Sequence, residues 1–422
     1  MQKLCSSIIL GALLLAALGD ALASPALLTK VDLFEAGVGG YKLYRIPGLV
    51  VTRNGVVLAY CEARKYTGGD WDTIDVMLRR SADAGKTWEP PIIISKINGA
   101  ISRSQVALDH HLGKPDDVTC SNPVAVADRI PGLVHFLFTL NDERCFYMRS
   151  EDDGATFGTP VEITGAFDEF RPEYDWHVIA TGPGHGIQLS NGRLLVPVWL
   201  STGQFGHQPS VTSTIFSDDD GKTWQRGAIA IPNTAKWINP NEATLVQMAD
   251  GRVMLNARSQ SLPNRRLVAF SPNGATDWSR PRFDEALADP ICMASLVRLS
   301  RTPESDQNRI VFSNPDNLAR AEGKAKPGGS RDRKNLTIKL SYDEGETWPV
   351  HRSLESGPSA YSDLAALPDG TLLCFYERTT TNEPGYQKGV LTIAHFNLEW
   401  LTNGADSLSR RQLPGAKMLP AK

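Results

Sequence analysis

Ser217-Asp-Asp-Asp-Gly-Lys-Thr-Trp224 is one of four close copies of a single octapeptide. The others are Ser81-Ala-Asp-Ala-Gly-Lys-Thr-Trp88, Ser150-Glu-Asp-Asp-Gly-Ala-Thr-Phe157 and Ser341-Tyr-Asp-Glu-Gly-Glu-Thr-Trp348. Ser271-Pro-Asn-Gly-Ala-Thr-Asp-Trp278 is a degraded fifth copy, and the starts lie 69, 67, 54 and 70 residues apart. A fixed period of this size marks an array of like units. Copies follow strand-like runs such as 74–79, 211–216 and 336–340, so each reads as a turn closing a hairpin. Asp83, Asp152, Asp219 and Asp343 can cap turn N–H groups. The glycine two residues later permits a bend that other residues resist. The final aromatic is expected to pack into a neighbouring layer. A calcium loop would need alternating Asp/Asn ligands and a closing Glu, which the template lacks. The boxes are therefore read as structural.

Outward from the boxes, short β-type runs recur at 55–63, 133–140, 193–200, 252–257, 309–313, 371–376 and 390–396, between Gly, Pro, Asn and Asp turns. No long segment with a period of 3.6 competes. One unit every ~65 residues fits a four-stranded blade with its loops. The 399 residues after position 23 give about 66 per blade for six blades. The expected fold is all-β: a single six-bladed β-propeller spanning 24–422, with Asp-box turns.

Residues 1–23 read as a signal peptide. Lys3 gives the positive start, 8–18 is a short apolar run, and Ala21-Leu-Ala23 fits the cleavage rule. The run is short for a membrane span. Export to the periplasm or the extracellular space is expected. Lys+Arg is 44 against Asp+Glu 47, a net charge of −3. No basic excess points to nucleic acid or an anionic membrane. Five cysteines follow the leader, with no zinc-type spacing, and Cys120–Cys145 is the pair to test for a disulfide.

In a propeller, the loops at one mouth of the channel build a site from several blades. Arg45 sits in Tyr44-Arg-Ile-Pro47, Arg258 follows Val253-Met-Leu-Asn-Ala257, and Arg333 precedes Asn335-Leu-Thr-Ile338. Each borders a strand that would otherwise be core. Together they suggest a converging cationic cluster, because guanidinium forks grip a carboxylate in a way that dispersed charge does not. Glu242 and Tyr361 each lie just before a strand. In Thr67-Gly-Gly-Asp-Trp-Asp72, spacing alone does not choose among Asp70, Asp72 and Asp75.

The Tyr-Arg-Ile-Pro motif followed by repeated Asp boxes resembles the sialidase (exo-α-neuraminidase) family, over nearly all of the chain after the leader. Further matches are Glu62-Ala-Arg64, Gly182-Pro-Gly-His-Gly-Ile-Gln188, Asn241-Glu-Ala243, Asn256-Ala-Arg258, Arg333-Lys-Asn-Leu-Thr337 and Ser359-Ala-Tyr361. The resemblance implies a six-bladed propeller and a retaining exo-α-sialidase without metal or organic cofactor. It implies that Arg45, Arg258 and Arg333 bind the substrate carboxylate, with Arg331 a rival for the third place. It makes Tyr361 the nucleophile, Glu242 its activating base and Asp70 the acid/base. Arg64 stands beside the acid loop, and Glu377 supports the first arginine. The segment 101–121 departs from the family, so the acyl-amino pocket stays unassigned. The implied partners are sialylated glycans, glycoproteins or glycolipids, acted on by a monomer or weak oligomer. The competing readings are a lectin-like propeller, a two-carboxylate glycosidase for neutral polysaccharide, and a transglycosylating relative.

Overall fold

The computed structural model describes residues 25–99, 101–380 and 389–408. The leader-like segment 1–23 lies outside them. The expected runs are strands: Val57–Arg64, Val134–Leu140, Leu194–Ser201, Val253–Ala257, Arg309–Pro315, Leu372–Thr379 and Gly389–Phe396. Most are buried along their whole length, as in Val134–Leu140. A strand covered on both faces has no reason to alternate, and here each sheet has neighbours on both sides.

Four sheets of blade size run in chain order over 43–93, 120–162, 178–226 and 243–288, antiparallel except where the two-residue strand Gly184–His185 joins the second in parallel. A fifth sheet has seven strands and contains two blades. Its central strand, Val350–Ala366, runs from the outer edge of blade 5 into the inner position of blade 6. Blade 6 is completed by Leu28–Glu35, which pairs with Gly389–Phe396.

The apolar core is divided among the blade contacts. Leu58 and Tyr60 of blade 1 pack with Phe136 of blade 2. Leu137 and Tyr147 pack with Val196 of blade 3, and Leu195 with Leu255 of blade 4. Met254 packs with Phe312 of blade 5, Ile338 with Tyr376 of blade 6, and Phe375 with Leu49 of blade 1. These clusters form a closed circle, which makes the structure a six-bladed propeller.

The Asp boxes join that circle. In the box of blade 3, Ser217 Oγ donates to Asp219 Oδ1 at 2.8 Å and accepts from Gly221 N at 2.9 Å. Thr223 gives its N–H and its hydroxyl to the two Asp219 oxygens at 2.9 and 2.7 Å. The other three close copies repeat this pattern. In the degraded copy Asn273 replaces the carboxylate, accepting from Thr276 N at 2.9 Å. Each box glycine lies against the preceding blade: Gly154 on Leu58, Gly221 on Tyr147, Gly274 on Leu195, Gly345 on Met254, and Gly85 of blade 1 on His395 of blade 6.

The Cys120–Cys145 pair does not form. Cys120 belongs to the cluster between blades 1 and 2, and Cys145 to the one between blades 2 and 3, so the two thiols lie on opposite faces of one sheet. All five cysteines of the described residues are free and buried. Among the described residues no helix is long and apolar enough to cross a membrane.

Candidate active site

Three strands carry an irregularity where they enter the inner position of their blade: pairing skips between Arg45 and Gly48, Ser121 and Val124, and Ser359 and Ser362. Such bulges re-aim side chains and leave backbone groups unpaired. Two buried glutamates take up the freed N–H groups. Glu377 accepts from Ile46 N at 3.0 Å and Tyr361 N at 3.3 Å. Glu62 accepts from Asn122 N at 2.8 Å. Each also holds an arginine. Arg45 donates Nε and Nη2 to the two Glu377 oxygens, both at 3.0 Å. Arg64 gives Nε at 3.1 Å and Nη2 at 2.7 Å to Glu62 Oε2. Arg45 with Glu377 and Arg64 with Glu62 are thus two instances of one bracing scheme.

Tyr361 is where the three candidate arginines meet. The Arg45 and Arg333 guanidinium carbons lie 5.2 and 5.3 Å from its ring centroid. Arg258 Nη1 donates to Tyr361 Oη at 2.5 Å and to Glu242 Oε2. Tyr361 Oη in turn donates to Glu242 Oε1 at 2.5 Å. Burial pushes the phenol well above its ordinary value, Arg258 and Arg333 pull it back, and Glu242 adds to the rise. Arg258 Nε is buried with no hydrogen-bond partner among the described residues. Arg333 also donates to Ile291 O at 2.6 Å. Arg331 instead bonds the carbonyl of Gly329, so Arg333 is the third member of the cluster.

The structure also separates the three aspartates of the acid loop. Asp72 is buried, and its Oδ2 caps the N–H groups of Tyr66, Thr67 and Gly68. Asp75 accepts from Tyr41 Oη at 2.6 Å. Asp70 is 56% exposed and paired with Arg64 Nη1 at 2.6 Å. Arg64 holds its carboxyl well below the usual carboxylate range against the cost of burial, with Arg45 and His207 adding to the effect. Water screens this field at a half-exposed group.

Asp70, Arg64, Glu242, Arg258 and Tyr361 line one small cavity of about 140 Å³. Arg45, Arg333 and Glu377 stand around Tyr361 rather than on the wall. Also on the wall are Asn241, from the Asn241-Glu-Ala243 motif, and Asn122, Asp142, Trp199 and His207, none of these last four expected from sequence. The Asn122-Pro123 step copies the Ile46-Pro47 bulge, a signal that could have revealed Asn122. His207 and Asp142 belong to no motif. A larger cavity, about 730 Å³, opens at the C-terminal ends of the inner strands and contains none of these residues. It is lined by the Arg301–Glu304 pair and by His185, whereas the phenol, its glutamate and Arg258 all line the smaller pocket, which is therefore the candidate chemical site.

The family model for the BNR repeat-like domain matches residues 101–374. The chain belongs to the BNR repeat-like family. Within it, this is an Asp-box propeller of the sialidase type. It is 29% identical over 402 residues to a sialidase of Micromonospora viridifaciens, covering 89% of this chain and 54% of that one. It is 29% identical over 374 residues to a Bacteroides fragilis sialidase, covering 83% and 63%. A Hadza microbial sialidase superposes with a TM-score of 0.69 at 25% identity, covering 88% of this chain and 69% of the other. The BNR repeat-like chain spans between half and two-thirds of the length of the Micromonospora and Bacteroides sialidases.

Proposed function

We propose that this protein is an exo-α-sialidase that releases terminal sialic acid from glycoconjugates with retention of configuration. The observation that carries this reading is the buried Arg258–Tyr361–Glu242 triangle flanked by two further arginines. A binding module needs the arginines but has no use for a phenol hydrogen-bonded to a carboxylate. A glycosidase for neutral sugars has no anion for three guanidinium groups to hold.

The chemistry follows from the substrate. Sialic acid carries a carboxylate on its anomeric carbon, which repels an anionic nucleophile. A neutral phenol avoids that repulsion and needs a base to take its proton. Tyr361 Oη attacks the anomeric carbon while Glu242 Oε1 takes the proton, and Arg258 stabilises the negative charge that develops between them. Sialidases with a tyrosine nucleophile are a recognised exception to the two-carboxylate rule. Asp70 gives a proton to the departing glycosidic oxygen, then takes one from the water that cleaves the sialosyl-tyrosine bond. Before substrate binds, Arg64 favours the Asp70 carboxylate. A bound substrate carboxylate offsets the field of the arginines and favours the protonated form. The matches to sialidases and the leader-like residues 1–23 support an exported enzyme acting on sialylated glycans, in the periplasm or outside the cell.

The test is release of fluorophore from an aryl α-sialoside by the purified protein. Turnover with retained anomeric configuration supports the reading. A folded protein that binds sialic acid without turnover rejects it in favour of a lectin.

A further inference from the structure

One pocket residue has no part in this chemistry yet is held from three sides. His207 lies in the connection 202–209, between strands Leu194–Ser201 and Ser210–Ser217. Its ring stacks on Trp71, with centroids 4.9 Å apart and 16° between planes, and meets Trp199 edge-on at 5.5 Å. Its Nε2 lies 3.5 Å from Asp142 Oδ2. Trp71 directly follows Asp70. Its side chain is buried in a small cluster with Val106, Ala107 and Val178, apart from the blade-to-blade cores. Arg103 donates to the Trp71 carbonyl at 2.6 Å. The backbone leaving Asp70 is therefore held by Arg103, while His207 presses on the Trp71 ring.

We propose that His207 is a positioning residue for Asp70: held by Asp142 and stacked on Trp71, it clamps the acid loop over the pocket. The proposal rests on the acid/base role given to Asp70 above. A stack that served packing alone could use an apolar ring, whereas His207 lines the pocket and faces a buried carboxylate. Burial works against charging the imidazole. Asp142 favours the charge, with Asp70 and Glu242 adding to it, and the net effect raises its pKa. Its other neighbours are the Trp71 and Trp199 rings. A charged His207 joins Arg64 and Arg45 in favouring the Asp70 anion.

The experiment compares wild type with His207→Ala, His207→Gln and His207→Phe. It measures kcat/KM on sialyllactose, which needs an acid for its leaving group, and on an aryl α-sialoside, which does not. Amide hydrogen exchange over 66–73 is followed in parallel. His207→Ala and His207→Gln are expected to lose about 100-fold on sialyllactose and less than about fivefold on the aryl substrate. Loop exchange is expected to rise about tenfold in both. His207→Phe restores the ring, so it recovers most of the rate and keeps the loop protected. Its sialyllactose pH profile moves the limb set by Asp70 to higher pH, because a positive neighbour is gone. Equal losses on both substrates, an unchanged loop, or a His207→Phe profile superposing on wild type would each overturn the proposal. If wild type cleaves no sialoside but His207→Ala still loosens the loop, the sialidase reading fails and the clamp stands. An active wild type whose His207→Ala variant keeps both loop and substrate ratio removes the clamp alone. Should His207→Ala not fold, His207→Gln and His207→Phe decide between the same outcomes.

Discussion

Tyr361 Oη lies 2.5 Å from Glu242 Oε1, across 119 residues of chain and two blades of the propeller. The contact pairs the proposed nucleophile with its base, and Arg258 bonds both. Tyr361→Phe removes one oxygen and leaves Arg258 paired with Glu242. The expected result is a loss of at least about 10³-fold in kcat on an aryl sialoside, with an unchanged melting curve. Near-normal hydrolysis by the variant would remove Tyr361 from the chemistry.

Asp70 is the exposed one of the three aspartates in and after its loop, and its carboxylate pairs with Arg64 Nη1 at 2.6 Å. Asp70→Ala should cost about 10²–10⁴-fold on a natural sialoside and far less on an aryl sialoside with a good leaving group. Equal losses on the two substrates would assign Asp70 a binding role instead.

Glu377 is buried and joins Arg45 to two backbone N–H groups from different blades. Removing one partner of a buried pair strands the other. Glu377→Ala is expected to destabilise the fold by about 3 kcal/mol in chemical denaturation and to weaken sialic acid binding. A variant with wild-type stability would show that Arg45 is held by something else.

Gly221 adopts φ +81° with Tyr147 Oη where a Cβ would come, 2.2 Å away. Alanine there incurs about 1–2 kcal/mol for the left-handed backbone, before Tyr147 is displaced. Because the box lies at the far end of the blade from the site, Gly221→Ala should lower stability and leave KM unaltered. A changed KM would mean that the box shapes the pocket.

His185 Nδ1 lies 2.7 Å from Asp363 Oδ1 within the channel wall. Burial opposes charging the ring, but Asp363 more than offsets it and the pKa is raised. A pKa higher in the folded than in the unfolded state stabilises the fold below the ordinary imidazole value of about 6.5, and the contribution is lost as pH rises through the raised value. Stability measured across that window should fall with pH in wild type, and His185→Gln should lack that component. Identical slopes would exclude the pair as its source.

The fold was legible because the Asp box places side-chain acceptors, a left-handed glycine and an aromatic in one contiguous stretch. The strands were legible as continuous apolar runs, since blades cover one another on both faces. Arg45, Glu242, Arg258, Arg333 and Tyr361 stood out as polar residues bordering such runs. The choice of Asp70 over Asp72 was not legible from spacing, because it depends on which carboxylate the loop turns inward to cap its own N–H groups. His207 and Asp142 were invisible for a related reason. They meet through a contact between blades 2 and 3, and neither sits in a patterned stretch. The short helix Gln105–Asp109 went unmarked because five residues display no helical period.

Leu28–Glu35 closes the propeller by pairing with Gly389–Phe396. During synthesis on the ribosome, the first of these strands therefore waits for a partner until nearly all the rest of the domain has been made. Arg45 waits with it, because its buried carboxylate partner arrives only with Leu372–Thr379. A partly translated chain would carry every aspartate box of its early blades and still be catalytically silent. Turnover in a translation reaction would thus act as a clock for ring completion, starting only once the final blade has left the exit tunnel.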